Sequence, residues 1–361
     1  MRTPIFPLPG SAGGFKWAWV LVAVFLFVSS LAGARLRQES ERGALEIYFV
    51  DVEGGQATLF VTPAKQSLLI DTGWPGHGGR DADRIVAAAK DAGLGKIDYV
   101  LITHFHADHV GGVPELARRV PIGAFIDHGE NRESSSAPTV AGWSAYEQLL
   151  ASGKYRHLTL KPGEALPVDG LNAVVVSADG NLIRGPLKGA GERNPGCGNR
   201  PAYPADETEN ARSLGAWIGF GKLRILDLGD LTSDKEVELM CPQNKLGKVD
   251  IYIVSHHGWS QSGSPPLLTG IAPRVAIMDN GAKKGGTPST WDIIEKSPRL
   301  EDLWQLHYSE EGGEAHNVRP QFIANLDGAD SGNYLKLTAW PDGRFEVFNS
   351  RTREKKSYAG Q

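Results

Sequence analysis

The stretch Leu101–Gly112, LITHFHADHVGG, places three of the chain's ten histidines and an aspartate within six positions, His104 to His109. Packed together without a metal, these groups cost desolvation and, whenever two imidazoles protonate, mutual repulsion. The strand-like run YVLIT leads into them. Alternation along it puts His104 and His106 on one side, and a following turn brings in Asp108 and His109. Four converging imidazole and carboxylate donors suit zinc or a similar divalent ion.

The rest of the chain must build a frame for that cluster. With 361 residues, 41% of them hydrophobic and 22% charged, it can bury a substantial core. From Leu45, LEIYFVDV and ATLFVT read as strands, and SLLIDTG as a short apolar strand ending in a turn. DADRIVAAAKDAG reads as a helix with Asp81 as its N-cap and Gly93 as its stop. KIDYVLIT then runs into the histidines. Beyond a less regular middle, SLGAWIGF, LRILDLGD, DIYIVSHHG and RVAIMDNG repeat the pattern of apolar strand and polar turn. Helical stretches around Asp234 to Met240 and Thr290 to Lys296 lie between some of them. This is an α/β chain with buried sheets. No short fixed period recurs, which excludes a solenoid or propeller. RGPLKGAGERNPGCGNRPAYP is a long central loop. A net charge of −4 without a long basic run gives no electrostatic footprint for tight non-specific nucleic-acid binding.

At the N-terminus, Arg2 and Lys16 precede the apolar run WAWVLVAVFLFVSSLAGA, and Ala32-Gly33-Ala34 fits a small-x-small cleavage pattern before Arg35. We expect residues 1–34 to be a signal peptide, with an uncleaved membrane anchor as the alternative, because the run is long enough to span a bilayer. Either way the remainder is expected outside the cytoplasmic membrane, periplasmic or secreted, or held on its outer side. The globular domain is expected over 45–350, followed by a tail, 351–361. Cys197 and Cys241 are the two cysteines. They do not make a disulfide framework, although one bridge is permitted in an oxidising compartment. Neither sits in a Cys/His cluster with ligand spacing, so neither is expected to bind metal.

THFHADHVGG resembles the signature of the metallo-beta-lactamase superfamily, and LLIDTG before it, with LDLGD and VSHHG after it, follow in the order that family shows. The resemblance implies an α+β, α/β fold, a four-layer αβ/βα sandwich with a one- or two-metal site at the edge of its sheets. Within the superfamily, DVEGGQATLF, ENARSLGAWIGF, LGD and SHHGWSQS are most similar to the hydrolase domain of bacterial DNA-uptake channel proteins and their stand-alone secreted relatives. It further implies that His104 and His106 bind one metal, Asp108 and His109 the second, that Asp230 bridges both and that His257 completes the second site. Asp108 would orient the attacking hydroxide, and His257 would hold the metal nearest the leaving group. Asp71 would accept a proton from a ligand histidine and fix its tautomer; the plainer reading is a turn former before Thr72-Gly73.

Two departures stand out. The superfamily's usual third histidine on the first metal has no counterpart in PADETENARS, which leaves Glu209 or Asn210 as substitute oxygen donors. Where the uptake-channel relatives place Gly-His-Pro, this chain has Gly286, Thr287 and Pro288. His256, His128 and His307 remain as compensators or as ordinary packed histidines. Lys283 and Lys284 either neutralise a phosphate or form a solvated basic turn.

The expected cofactor is a divalent metal, one or two zinc ions, with manganese as the alternative. Such an ion lowers the pKa of its water toward ~7 and polarises a carbonyl or phosphoryl oxygen, so hydrolysis is the expected reaction. Subfamily similarity points to phosphodiesters of nucleic acid or nucleotides. The alternatives are hydrolysis of a β-lactam, lactone or thioester, or a metal-binding module without catalysis. The expected partner is that small-molecule or nucleic-acid substrate, with no stable protein partner and no membrane contact beyond the N-terminal segment.

Overall fold

The computed structural model describes residues 1–4, 43–198, 201–326 and 330–360. The expected signal or anchor segment lies outside the described residues, and among those described no helix is long and apolar enough to cross a membrane. The chain forms two units, Met1–Ala44 and Leu45–Gln361.

The N-terminal half supplies β1 (Leu45–Phe49), β2 (Thr58–Val61), β3 (Ser67–Ile70), β4 (Ile97–Leu101), β5 (Ile122–Asp127) and β6 (Arg156–Thr159). A second sheet holds β7 (Asn172–Ala178), β8 (Asn181–Leu182), β9 (Gly215–Phe220), β10 (Leu223–Asp227), β11 (Ile251–Ile253), β12 (Val275–Met278), β13 (Asp302–His307) and β14 (Ile323–Asn325). The chain then returns to the first sheet with β15 (Leu335–Ala339), β16 (Phe345–Asn349) and β17 (Lys355–Tyr358). The first sheet runs β17-β16-β15-β1-β2-β3-β4-β5-β6 and the second β14-β13-β12-β11-β10-β9-β7-β8. Within the expected tail, Lys355–Tyr358 form that last strand. Lys355 to Tyr358 pair antiparallel with β16, and buried Tyr358 donates to Asp302 Oδ2 while accepting from Trp304 Nε1.

Three apolar layers explain the stacking. Alternation along β1 sends Leu45, Ile47 and Phe49 into the layer between the sheets, where they meet Ile218, Ile225, Ile253 and Trp304. Tyr48 points the other way, into a layer with Ile85, Leu116 and Tyr146 from the helices Arg80–Asp91, Val113–Arg119 and Ala137–Ala151. On the far side of the second sheet, Leu226 and Tyr252 pack with Leu239, Leu268 and Ile294 from the helices Ser233–Met240, Pro265–Ile271 and Pro288–Glu295. Helix, sheet, sheet, helix is the four-layer sandwich.

Local signals account for several boundaries. Ser136 accepts from Thr139 N and caps the helix Ala137–Ala151. Gly93, at φ +74°, lies just past the helix Arg80–Asp91, as expected of a stop. Asp81 is not that helix's N-cap. The N-cap is Gly79, two residues earlier, and the Asp81 carboxylate instead accepts from Trp74 N at 2.8 Å and Arg80 Nε at 2.6 Å. The long central loop is tied down at its middle: Cys197 and Cys241 form a disulfide, and Asn194 Nδ2 donates to Met240 O and Pro266 O.

Candidate metal centre

The parallel runs β3-β4 and β10-β11-β12 end at one edge of the sandwich. Asp71 follows β3, Thr103 and His104 follow β4, Asp230 follows β10, His256 and His257 follow β11, and Asp279 follows β12. Crevices outside the carboxyl ends of strands are where open α/β sheets bind ligands. His106 sits one residue before the short helix Ala107–Val110, which carries Asp108 and His109, so these two come from a helical turn rather than a loop. That turn is pressed against the chain after β3: Thr72 N donates to His109 O, and Gly112 N to Gly73 O. A side chain at Gly112 would collide with the Thr72 carbonyl, and one at Gly111 with Pro75, which is why HVGG ends in two glycines.

Two donor sets share one carboxylate. Asp108, His109, Asp230 and His257 offer ligand atoms all within 4.8 Å of one another, as do His104, His106 and Asp230. Asp230 Oδ2 lies 3.3 Å from His109 Nε2, 3.8 Å from His104 Nε2 and 3.5 Å from His256 Nε2, and its Oδ1 lies 3.5 Å from His257 Nε2. Asp108 Oδ2 is 3.2 Å from both His109 Nε2 and His257 Nε2. His104 Nε2 and Asp230 Oδ1 are fully buried with no hydrogen-bond partner in the protein. Orphaned donor atoms of this kind inside an N/O cluster fit a divalent cation and little else.

Three of the four candidate histidines, His104, His106 and His109, have a hydrogen-bond partner on a ring nitrogen, and His257 Nδ1 has a carboxylate at ion-pair distance. His109 Nδ1 donates to Asp71 Oδ2 at 2.7 Å. Thr103 Oγ1 donates to the same oxygen at 2.7 Å, so at 3.0 Å from His104 Nδ1 it can only accept. One carboxylate thus sets the tautomer of both imidazoles and leaves each Nε2 lone pair facing the site. His106 Nε2 lies 3.0 Å from Glu133 Oε2, and His257 Nδ1 3.4 Å from Asp279 Oδ1.

The charges follow from this packing. Burial pulls the His104 pKa well below its ordinary value, helped by His109 and His106. Burial also acts against a charged His109 and His257, but nearby carboxylates overcome it, so His109 stands well above the usual range and His257 at about 9. Asp108 and Asp230 resist burial and stay well below the usual carboxylate range, Asp108 chiefly through Lys284 and His109, Asp230 through His109, His256 and His257.

Six expected ligands, His104, His106, Asp108, His109, Asp230 and His257, therefore meet at one edge, with Asp71 behind them and His256 beside Asp230. Glu209 does not join them. Its carboxylate accepts from His128 Nε2 at 3.0 Å and from the backbone N–H groups of Phe105 and Arg132, which occupies both oxygens. Asn210 Oδ1 is a buried acceptor without a protein partner. His128 is consumed by Glu209, and His307 by Asp51 at 2.7 Å, so neither lies in either donor set. Gly286 and Thr287 pack behind His257, through Gly286 N to His257 O and Thr287 N to Gly258 O. Lys283 is exposed, whereas Lys284 is largely buried and contacts Asp108 Oδ2, donates to Gly54 O and lies 5.0 Å from the Trp74 ring centroid. Thr103, Glu133 and Asp279 escaped the sequence reading. Asp279 alone left a signal, as an acid ending a strand in the same way as Asp71 and Asp230.

The fold and its shared-carboxylate donor sets define the class of protein, an αβ/βα sandwich with a metal-binding centre at the sheet edge. Residues 50–186 match the family profile of the metallo-beta-lactamase superfamily, and the chain carries a domain of that superfamily. It is 25% identical over 238 residues to Recombination protein 2 of Haemophilus influenzae, covering 64% of this chain and 24% of that protein. It is 32% identical over 122 residues to the hydroxyacylglutathione hydrolase of Dechloromonas aromatica, covering 34% and 42%. The chain thus spans less than half the length of either relative. Among solved structures, a Cronobacter sakazakii metallo-beta-lactamase aligns at 14% identity over 57% of this chain and 73% of that one, with a TM-score of 0.36.

Proposed function

We propose that the chain is an exported, metal-dependent hydrolase of phosphodiesters, acting on nucleic acid or nucleotides. The observation that carries the reaction class is the sharing of Asp230 between the donor sets of His104 and His106 and of Asp108, His109 and His257. Two cations held roughly 3.5–4 Å apart need anionic charge between them, and such a pair, when bound, supplies Lewis acidity toward a substrate oxygen and a water of lowered pKa. The chain's own residues do the rest. Asp71, through Thr103 and His109, holds two imidazoles in the ligating tautomer. Lys284, between Trp74 and Asp108, puts a fixed cation at the rim, where it favours a substrate carrying negative charge over a neutral lactone. The likeness to Recombination protein 2 and the apolar N-terminal run support nucleic acid as substrate class and export, and a Cys197–Cys241 bridge suits an oxidising compartment.

The test combines metal analysis with turnover. Purified chain is expected to hold between one and two divalent ions and to hydrolyse bis(p-nitrophenyl) phosphate in added zinc or manganese, faster than a chromogenic β-lactam, a lactone or a thioester. Turnover of the β-lactam, the lactone or the thioester without turnover of the phosphodiester would overturn the phosphodiester reading, and a folded chain with well under one metal ion would overturn the enzyme.

A further inference from the structure

Cationic side chains scattered through the sequence meet at the end of the second sheet opposite the metal centre. Lys222 in the β9-β10 turn, Arg224 on β10, Lys248 ahead of β11 and Arg299 ahead of β13 line a depression of about 490 Å³. An adjoining depression of about 520 Å³ shares Arg224 and is lined by Lys188 and Trp217. The parallel strands β10 to β13 run from this end toward the ligands. Asp230 follows Arg224 by six residues, so at ~3.3 Å per residue they lie at most about 20 Å apart.

The patch is not neutralised. Asp250 is the carboxylate among the lining residues, 3.6 Å from Arg299 Nη2 and accepting from Arg224 N. Lys188, Lys222, Arg224 and Lys248 are exposed and make no side-chain ion pair among the described residues. Trp217 is half-buried on β9, and a Cβ at Gly219 would come within 3.0 Å of its ring, so the indole lies across that glycine beside Arg224's own position opposite Gly219. Repeated cations along a concave groove with an aromatic face beside them match the two parts of single-strand recognition, backbone charge and base stacking. A bilayer surface fits less well, because the apolar residues of the lining, Val174, Leu187, Trp217 and Leu223, are all at least partly buried.

We propose that this groove binds single-stranded nucleic acid as an exosite, holding a polymeric substrate away from the metal centre. This rests on the phosphodiester reading above and narrows it from nucleotides to polymers. The probe is a fluorescein-labelled 20-mer of deoxythymidylate with phosphorothioate linkages, titrated into the metal-loaded full chain by anisotropy at several salt concentrations. Wild type is expected to bind with a strong salt dependence. The triple variant Lys222→Ala/Arg224→Ala/Lys248→Ala is expected to bind at least ~10-fold more weakly, its log K against log salt slope shallower by about 2, since each lost phosphate contact removes ~0.7. Hydrolysis of bis(p-nitrophenyl) phosphate by the variant should equal wild type, which also shows that it folds and keeps its metal. Trp217→Ala should weaken oligonucleotide binding without changing the salt slope. Equal oligonucleotide affinity in wild type and triple variant overturns the exosite, as does co-sedimentation with phosphatidylserine vesicles in place of oligonucleotide binding. A chain that binds the oligonucleotide through these residues yet hydrolyses no phosphodiester would instead sink the active-site reading and leave the surface standing.

Discussion

Asp71 Oδ2 lies 2.7 Å from His109 Nδ1 and 2.7 Å from the Thr103 hydroxyl that accepts from His104, so one buried carboxylate orients ligands of both donor sets. Asp71→Asn keeps the size and removes that control, because an amide N–H facing Nδ1 drives the proton to Nε2, the ligating atom. Loss of such a partner costs about 10–100-fold in metal affinity. Competition with a chromogenic chelator should show that loss, while circular dichroism stays that of wild type. Unchanged affinity would reduce Asp71 to a turn residue.

Asp230→Ala removes the carboxylate common to both sets, so metal content should drop and turnover fall by orders of magnitude on an intact fold. Asp230→Asn should be nearly as damaging, since a neutral amide cannot offset two cations. Asp234→Ala is the control. Asp234 lies in the first turn of the helix Ser233–Met240 and accepts from Thr232 Oγ1 at 2.6 Å, so it should change metal content and turnover little. Equal, mild effects of both alanine variants would refute the shared site.

Lys284→Met keeps the aliphatic stem against Trp74 and removes the charge. A charge-assisted hydrogen bond contributes about 1.5–3 kcal/mol, so kcat/KM for bis(p-nitrophenyl) phosphate should fall ~10–100-fold, largely through KM. Any residual turnover of a neutral ester should be spared. Equal losses on charged and neutral substrates would make Lys284 a support for Asp108 only.

Metal should stabilise the chain more at pH 9 than at pH 7. In the metal-free protein His257 sits at about 9 and His109 well above its usual value. A raised histidine contributes stability fully present below ~6.5 and lost as pH rises through its folded pKa, so chelator-treated protein should weaken from pH 7 to 9. The depressed groups His104, His256, Asp108 and Asp230 change proton occupancy below that window. Metal displaces the same protons, so its affinity rises with pH. The Tm gap between metal-loaded and chelator-treated protein, read by calorimetry, should therefore widen across this range. A constant or shrinking gap would contradict the charge assignment.

Much of this molecule was legible in the sequence. Short-range patterns carry strand and helix identity, and ligands brought together by one strand end and one helical turn, His104 to His109, announce themselves because their spacing is local. Asp230 and His257 were reached through motif order rather than geometry. The C-terminal strand Lys355–Tyr358 was not legible, since a four-residue polar edge strand exists only because β16 offers it a partner.

What tertiary structure alone decided is which donors face the metal and which are spent elsewhere. Glu209 and Asn210 are neighbours in sequence, yet Glu209 is satisfied by His128 and two backbone N–H groups while Asn210 Oδ1 stays unpartnered. Glu133 and Asp279 became partners of His106 and His257 only when separate strands ended at one edge. The same holds for charge: no long basic run exists along the chain, but parallel strands starting at one end gather Lys222, Arg224, Lys248 and Arg299 into a single groove. Side-chain identity and local period are properties of the chain, whereas desolvation, hydrogen-bond satisfaction and the summed field depend on what the fold places within a few ångströms.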